Sequence, residues 1–248
     1  MKTFYKICIG VLLLYTIMAN AQDKPKQIKV ACVGNSITEG AGWGDKTYPA
    51  QLGALLGSGY DVRNFGLGGR TLLKKGDFPY WNENIFVQAK DFNPDILIIM
   101  LGTNDSKPQN WKYKDEFFDD YSELIKAFRA DTRTPQIFVC LPPPVFKDGF
   151  GITNSIIHDK IIPLIDSIKN KFNTLMIDFN SAMAKDSVLF PDGIHPNGEG
   201  YGIMAKIAFE AIKSHPLGML YKDSEPKFGR LNKETNYRGN DCLAAKRP

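Results

Sequence analysis

Ser36, Asp192 and His195 are the residues of this 248-residue chain whose types and spacing can carry acyl chemistry. Ser36 lies in Gly34-Asn35-Ser36-Ile37-Thr38-Glu39-Gly40, directly behind the apolar run Ile28 to Val33. A hydroxyl displayed where a buried strand ends can attack a carbonyl if a base takes its proton. Of the three histidines, His158 falls in a helical pattern and His215 precedes a proline near the end of the patterned region. His195 alone has a carboxylate three residues before it, in Asp192-Gly193-Ile194-His195-Pro196. That spacing lets Asp192 turn back to accept from Nδ1, leaving Nε2 to receive the Ser36 proton. Three donors can serve a developing oxyanion: the backbone N–H of Ser36, the backbone N–H of Gly69 and the side-chain amide of Asn104. Glycine at 69 allows close approach and unusual φ, and an asparagine amide donates without adding charge.

Taken singly, each motif has a plainer reading. A serine at a strand-to-helix turn is more commonly a helix cap than a nucleophile. Gly102-Thr103-Asn104-Asp105 could be a simple turn, and Asp192 to Pro196 could open a helix. The glycines of Asn64-Phe65-Gly66-Leu67-Gly68-Gly69-Arg70-Thr71 do not make a dinucleotide fingerprint, which needs its glycines after the first strand. An α/β-hydrolase elbow would need glycine at position 38, where threonine stands. Together, however, the four motifs supply nucleophile, base, orienter and donors, the full set that acyl transfer requires.

The elements that must position them follow from hydrophobic patterning. Short apolar runs, Ile28 to Val33, Tyr60 to Asn64, Ile96 to Leu101, Gln136 to Leu141 and Leu175 to Asp178, suit strands buried on both faces of a parallel sheet. Helical spacing fills the intervals Pro49 to Leu56, Glu116 to Ala130 and Ile156 to Phe172, then Gly200 to Lys213, with Phe78 to Lys90 part helix and part loop. Alternating strands and helices predict an α/β fold, a three-layer α/β/α sandwich with a five-stranded parallel sheet in flavodoxin-like order 2-1-3-4-5. All four motifs then fall on the edge formed by the strands' carboxyl ends.

The blocks "GNSITEG", "NFGLGGRT", "GTND" and "DGIHP" resemble, in order and approximate spacing, the four blocks of the SGNH hydrolases, also called GDSL esterases/lipases, over residues 28 to 214. The resemblance implies Ser36 as nucleophile, Asp192 and His195 as its partners, Ser36, Gly69 and Asn104 as the oxyanion hole, and no metal or other cofactor. One departure stands out: the family's first block usually reads G-D-S, and position 35 here is asparagine.

Composition excludes some partners. The formal charge of +4 disappears when the ends are set aside, because residues Gln22 to Pro216 carry 22 basic and 23 acidic residues. Nucleic acid is therefore a poor partner, since phosphate binding needs clustered positive charge. Residues 1–21 read as a signal peptide: Lys2 and Lys6, an apolar stretch from Ile7 to Met18, and the small-residue site Ala19-Asn20-Ala21. The stretch is shorter than the ~20 residues that span a bilayer, so no membrane span is expected after cleavage. Residues 22–216 read as the hydrolase domain and 217–248 as a flexible tail or a truncated extra segment. Cys32 and Cys140 fall in strands separated by a third, too far apart to bridge.

Secretion or periplasmic export, with loops mixing polar and aromatic groups, points to a carbohydrate ester, and the likeness extends to secreted bacterial carbohydrate acetylesterases. Arg70, Trp81 and Trp111 are the candidate substrate contacts, although either tryptophan could instead anchor loop packing. A lysophospholipase or thioesterase acting on longer acyl chains is the alternative enzyme reading. A non-catalytic carbohydrate-binding domain is the alternative of another class.

Overall fold

The computed structural model of the chain describes residues 26–130 and 135–217. The expected signal peptide (1–21), Cys242 and the expected tail from residue 218 onward lie outside the described residues.

Five strands, β1 (Ile28–Gly34), β2 (Tyr60–Gly66), β3 (Ile96–Met100), β4 (Gln136–Leu141) and β5 (Leu175–Asp178), form one parallel sheet in the order β2-β1-β3-β4-β5. Eight α-helices of four or more residues accompany them among the described residues: α1 (Ser36–Glu39), α2 (Tyr48–Leu56), α3 (Asn84–Asp91), α4 (Pro108–Trp111), α5 (Phe117–Arg129), α6 (Ile162–Phe172), α7 (Phe179–Ala182) and α8 (Gly198–Ser214).

The pleat divides the core in two. Ala31, Val33, Leu97, Ile99, Ile137 and Val139 face one layer, where Phe86 of α3, Tyr121 and Leu124 of α5 and Ile165 of α6 pack. Val30, Cys32, Ile96, Ile98, Phe138 and Cys140 face the other, against Leu52 of α2 and Met204 and Ala208 of α8. The apolar residues at every position of β3 and from Ile137 to Leu141 of β4 are therefore used, because both faces are covered. Cys32 and Cys140, with β3 between their strands, are free and buried. Burial pushes the Cys32 thiol up to about 12.

Several boundaries shift by a residue or two from the sequence reading, and two of the differences have local reasons. The helical pattern from Ile156 to Phe172 is interrupted by a π-helical turn over Ile157–Ile161 before α6 begins. Pro163 cannot donate to the carbonyl one turn earlier, and its ring crowds that carbonyl, so the turn before it widens. Helix α8 starts at Gly198 because Asn197 caps it, its Oδ1 accepting from Glu199 N at 3.1 Å and Gly200 N at 2.9 Å.

With β1 flanked by β2 and β3, the strand order reverses beside β1, where ligand crevices form at carboxyl ends. Gly34 stands in register between Gly66 and Met100 there. Glycine at 66 is required by close approach: a Cβ would collide with the Glu39 backbone nitrogen of α1. The short helix carrying Ser36 can thus lie against the end of β2.

Candidate active site

Ser36 is the first residue of α1, and Asn35 is its cap. The Asn35 Oδ1 accepts from Ile37 N at 3.1 Å, in the extended backbone conformation of an N-cap. The capping role open to Ser36 is therefore filled by its neighbour, and the Ser36 hydroxyl is released for other work. Gly40, at φ 62°, ends the helix after one turn by donating its N–H to Ser36 O at 2.8 Å.

Ser36 Oγ lies 2.9 Å from His195 Nε2, and His195 Nδ1 lies 2.7 Å from Asp192 Oδ2. The other Asp192 oxygen accepts two backbone N–H groups, from Ile194 at 2.9 Å and His195 at 2.7 Å. Desolvation alone would raise the Asp192 pKa, but these hydrogen bonds with His195 and Ile194 outweigh it and hold the carboxyl below the ordinary carboxylate value. An ionised Asp192 can only accept, so Nδ1 carries the ring proton and Nε2 offers its lone pair to Ser36. The turn is anchored from outside by Phe146 N donating to Gly193 O at 2.8 Å.

The donor side is stitched in two places around Gly69. A Cβ at Gly68 would stand 3.7 Å from Ser36 Cβ, so this loop runs against the nucleophile. One residue beyond Gly69, Arg70 O accepts from Asn104 Nδ2 at 3.1 Å. Gly69 adopts φ 77° with open space where a side chain would point, a conformation that L residues with a Cβ avoid. Neither Ser36 N nor Gly69 N has an acceptor among the described residues. Asn104 is 3% exposed, and its amide has a second hydrogen beyond the one given to Arg70 O. Ser36 N, Gly69 N and the second hydrogen of the Asn104 amide are thus donors without an acceptor among the described residues.

Asp105 and Asn110 hold this arrangement, and the sequence reading assigned neither a role. Asp105 is fully buried and accepts from Leu72 N at 3.0 Å and Leu73 N at 2.7 Å. Desolvation raises its pKa to about 6 against the lowering effect of those two bonds. Asn110, also buried, donates to Asn104 O and to Asp77 Oδ1, each at 2.9 Å, and accepts from Asp77 N at 2.8 Å. The only signal in the sequence was Asp105 beside Asn104, and its type suits a local turn equally well.

The three candidate substrate contacts are placed differently. Arg70 is committed to its own loop, donating to Gly68 O at 2.7 Å and pairing with Glu83 at 2.8 Å. Trp81 packs on Phe86 with ring centroids 5.3 Å apart and donates to Leu72 O at 2.8 Å, which makes it a loop anchor. Trp111 packs on Phe117 and also lines a surface groove of about 460 Å³ with Ser106, Pro108, Thr153 and Ile156. An aromatic that the sequence reading passed over, Phe150, stands beside His195 with ring centroids 5.9 Å apart. Of the other histidines, His158 is exposed and bonds Asp159, while His215 bonds Ala211 O at the end of α8. Among the described residues no group of three or more His, Cys, Asp or Glu could hold a metal ion, and no helix is long and apolar enough to cross a membrane.

Comparison with known proteins agrees with this fold. The chain is 43% identical over 211 residues to an acetylxylan esterase of Xylanibacter ruminicola, covering 77% of this chain and 44% of the relative. It is 25% identical over 129 residues to a multidomain esterase of Ruminococcus flavefaciens, covering 51% of this chain and 16% of that protein. The chain thus spans less than half the length of these curated relatives. Among solved structures, a carbohydrate acetylesterase from Sinorhizobium meliloti aligns with a TM-score of 0.62 at 18% identity, over 76% of this chain and 99% of that one. A putative arylesterase from Agrobacterium tumefaciens aligns with a TM-score of 0.63 at 20% identity, over 76% and 99%. These two share the fold. Residues 32–203, which include all four motifs, match the GDSL-like lipase/acylhydrolase family, and the chain belongs to that family.

Proposed function

We propose that this protein is a serine carboxylic-ester hydrolase that removes O-acetyl groups from carbohydrate through an acyl-enzyme on Ser36. The observation that carries the reaction type is the relay of 2.9 Å and 2.7 Å from Ser36 through His195 to Asp192. Likeness to the acetylxylan esterase supports the substrate class.

In the first half-reaction Ser36 Oγ attacks the ester carbonyl while its proton passes to His195 Nε2. The oxyanion accepts hydrogen bonds from Ser36 N, Gly69 N and the Asn104 amide. Collapse expels the sugar oxygen, which takes the proton back from Nε2, leaving acetyl on Ser36. Water then attacks the acetyl carbonyl with Nε2 again as base, and acetate leaves with Ser36 restored. Ionised Asp192 stabilises the imidazolium in both halves.

Export to the periplasm or beyond belongs to the same proposal, supported by the charged and apolar pattern of residues 1–21. A polymeric xylan would be met outside the cytoplasm.

The test combines a fluorophosphonate probe with a substrate panel. Wild-type protein should be labelled and Ser36→Ala should not; an unlabelled, folded wild type would leave only a binding domain. Acetylated xylo-oligosaccharides should release acetate, and acetyl esters should be cleaved much faster than octanoyl esters. Preference for octanoyl esters would move the assignment to a lysophospholipase or thioesterase.

A further inference from the structure

The loop after β4 carries the least economical residue of the described chain. Gly149 O accepts from Ile152 N at 2.8 Å, closing a four-residue turn with Phe150 and Gly151 at its centre. Both central residues have positive φ, 52° for Phe150 and 77° for Gly151. Two consecutive positive φ values are the pattern of a type I′ turn, whose centre favours glycine, asparagine or aspartate. Gly151 fits that demand; Phe150 does not, since a bulky residue in the left-handed region is strained.

Nothing in the core repays the strain. Phe150 is 70% exposed, so its ring is not held by burial. The turn around it is held firmly instead: buried Ile152 packs in the core, Thr153 N donates to Ser106 Oγ at 3.1 Å, and Asn154 N donates to Asp148 Oδ1 at 2.9 Å. The result is an apolar ring fixed in solvent, edge-to-face with the His195 imidazole at 5.9 Å and 66° between planes. Strained, over-determined residues of this kind concentrate at ligand clamps.

The direction of the proposed reaction says which part of the substrate meets that ring. The leaving oxygen must come within hydrogen-bond reach of His195 Nε2, because that nitrogen returns the proton. The carbonyl oxygen points instead to Ser36 N, Gly69 N and Asn104. The leaving alcohol's carbon skeleton therefore lies on the His195 side, where Phe150 stands. We infer that Phe150 is a specificity residue, a stacking platform for the sugar ring that departs as the leaving alcohol. This rests on the carbohydrate-ester reading of the site. A pyranose presents an apolar C–H face that suits a fixed aromatic ring, and the flanking hydroxyls remain in water. A small alkyl alcohol has too little surface to gain from it.

Two acetyl esters differing only in the alcohol, an acetylated xylo-oligosaccharide and ethyl acetate, separate the outcomes. Phe150→Gly removes the ring and suits the positive φ, so the fold tolerates it; Phe150→Trp keeps an aromatic platform. The expected result is that the ratio of kcat/KM for the oligosaccharide to kcat/KM for ethyl acetate falls about tenfold in Phe150→Gly, mostly through KM. A tenfold change corresponds to one stacking contact. Phe150→Trp should restore most of the ratio. An unchanged ratio, whether from equal losses on both esters or from no loss on either, overturns the assignment and leaves the carbohydrate reading standing. A wild type that cleaves ethyl acetate but no acetylated oligosaccharide overturns both.

Discussion

On the side of the cleft that holds Ser36 and His195, the orienting bonds span two or three residues: Asn35 to Ile37, Asp192 to Ile194 and Asp192 to His195. On the side that holds Gly69 and Asn104, they span 32 to 34 residues, from Asp105 to Leu72 and Leu73 and from Asn104 to Arg70. The first side is two tight turns, each closed largely by bonds between near neighbours in sequence. The second is a strap between β2 and α3, clamped to the loop after β3 by buried polar groups. A substitution on the first side should therefore remove chemistry and spare the fold, whereas one on the second should disturb both.

The largest effect is expected from Asp192→Asn. The Asn Oδ1 can still accept the backbone N–H groups of Ile194 and His195, so the turn survives. Its amide would face Nδ1 and favour the tautomer that puts the proton on Nε2, where it cannot serve as base. Turnover should fall by about 10³-fold to 10⁴-fold with melting temperature preserved, measured on any acetyl ester. A loss under tenfold would remove Asp192 from the relay.

Asn104→Ala comes next. It deletes a donor to the oxyanion, which exists only after attack, and should lower kcat by about 10²-fold or more with KM little changed. It also leaves Arg70 O without its partner, so a modest loss of stability should accompany it, by about 1–3 kcal/mol in denaturant unfolding. Loss of stability without loss of kcat would make Asn104 a strap residue alone.

Asp105 offers the sharpest contrast with Asp192, because two carboxylates on the same edge are displaced in opposite directions. Asp192 is held below the ordinary carboxylate value, so its contribution to stability is present at neutral pH and is lost only on acidification through its lowered pKa. Asp105 is raised to about 6, so its ionisation costs stability above that pH, and the cost is relieved as the carboxyl protonates. From pH 7 to pH 5 the wild type should gain about 1–2 kcal/mol from this group, a gain missing in Asp105→Asn. That variant should also lose about tenfold in kcat, since its amide would face Leu72 or Leu73 N–H and displace the strap. Identical pH dependence in the two proteins would show that Asp105 is not desolvated as the fold implies.

Asn35, where the family usually has aspartate, fits this short-range logic only in part. Its Oδ1 caps α1 as an aspartate would, and its amide nitrogen is buried without a partner. The carboxylate would carry charge into a fully buried position; asparagine keeps the cap without it.

Much of this was legible in the residue order. Near-continuous apolar runs along β1, β3 and β4 reported burial on both faces, which points to a parallel sheet between helix layers. The turn Asp192-Gly193-Ile194-His195 reported a carboxylate folded back on an imidazole, because three residues are enough to close that bond. Physical reach is the common factor: cap, turn and pleat are each decided by residues a few positions apart. Trp81 and Trp111 were ambiguous because an aromatic in a loop reads the same whether it faces substrate or core. Tertiary structure alone decided that Asp105 would accept from Leu72 and Leu73, that Trp81 would point inward to Leu72 O, and that Phe150 would be held at positive φ against His195. Those outcomes depend on which loops meet when the sheet twists and closes its edge, and no spacing along one segment records its distance from another.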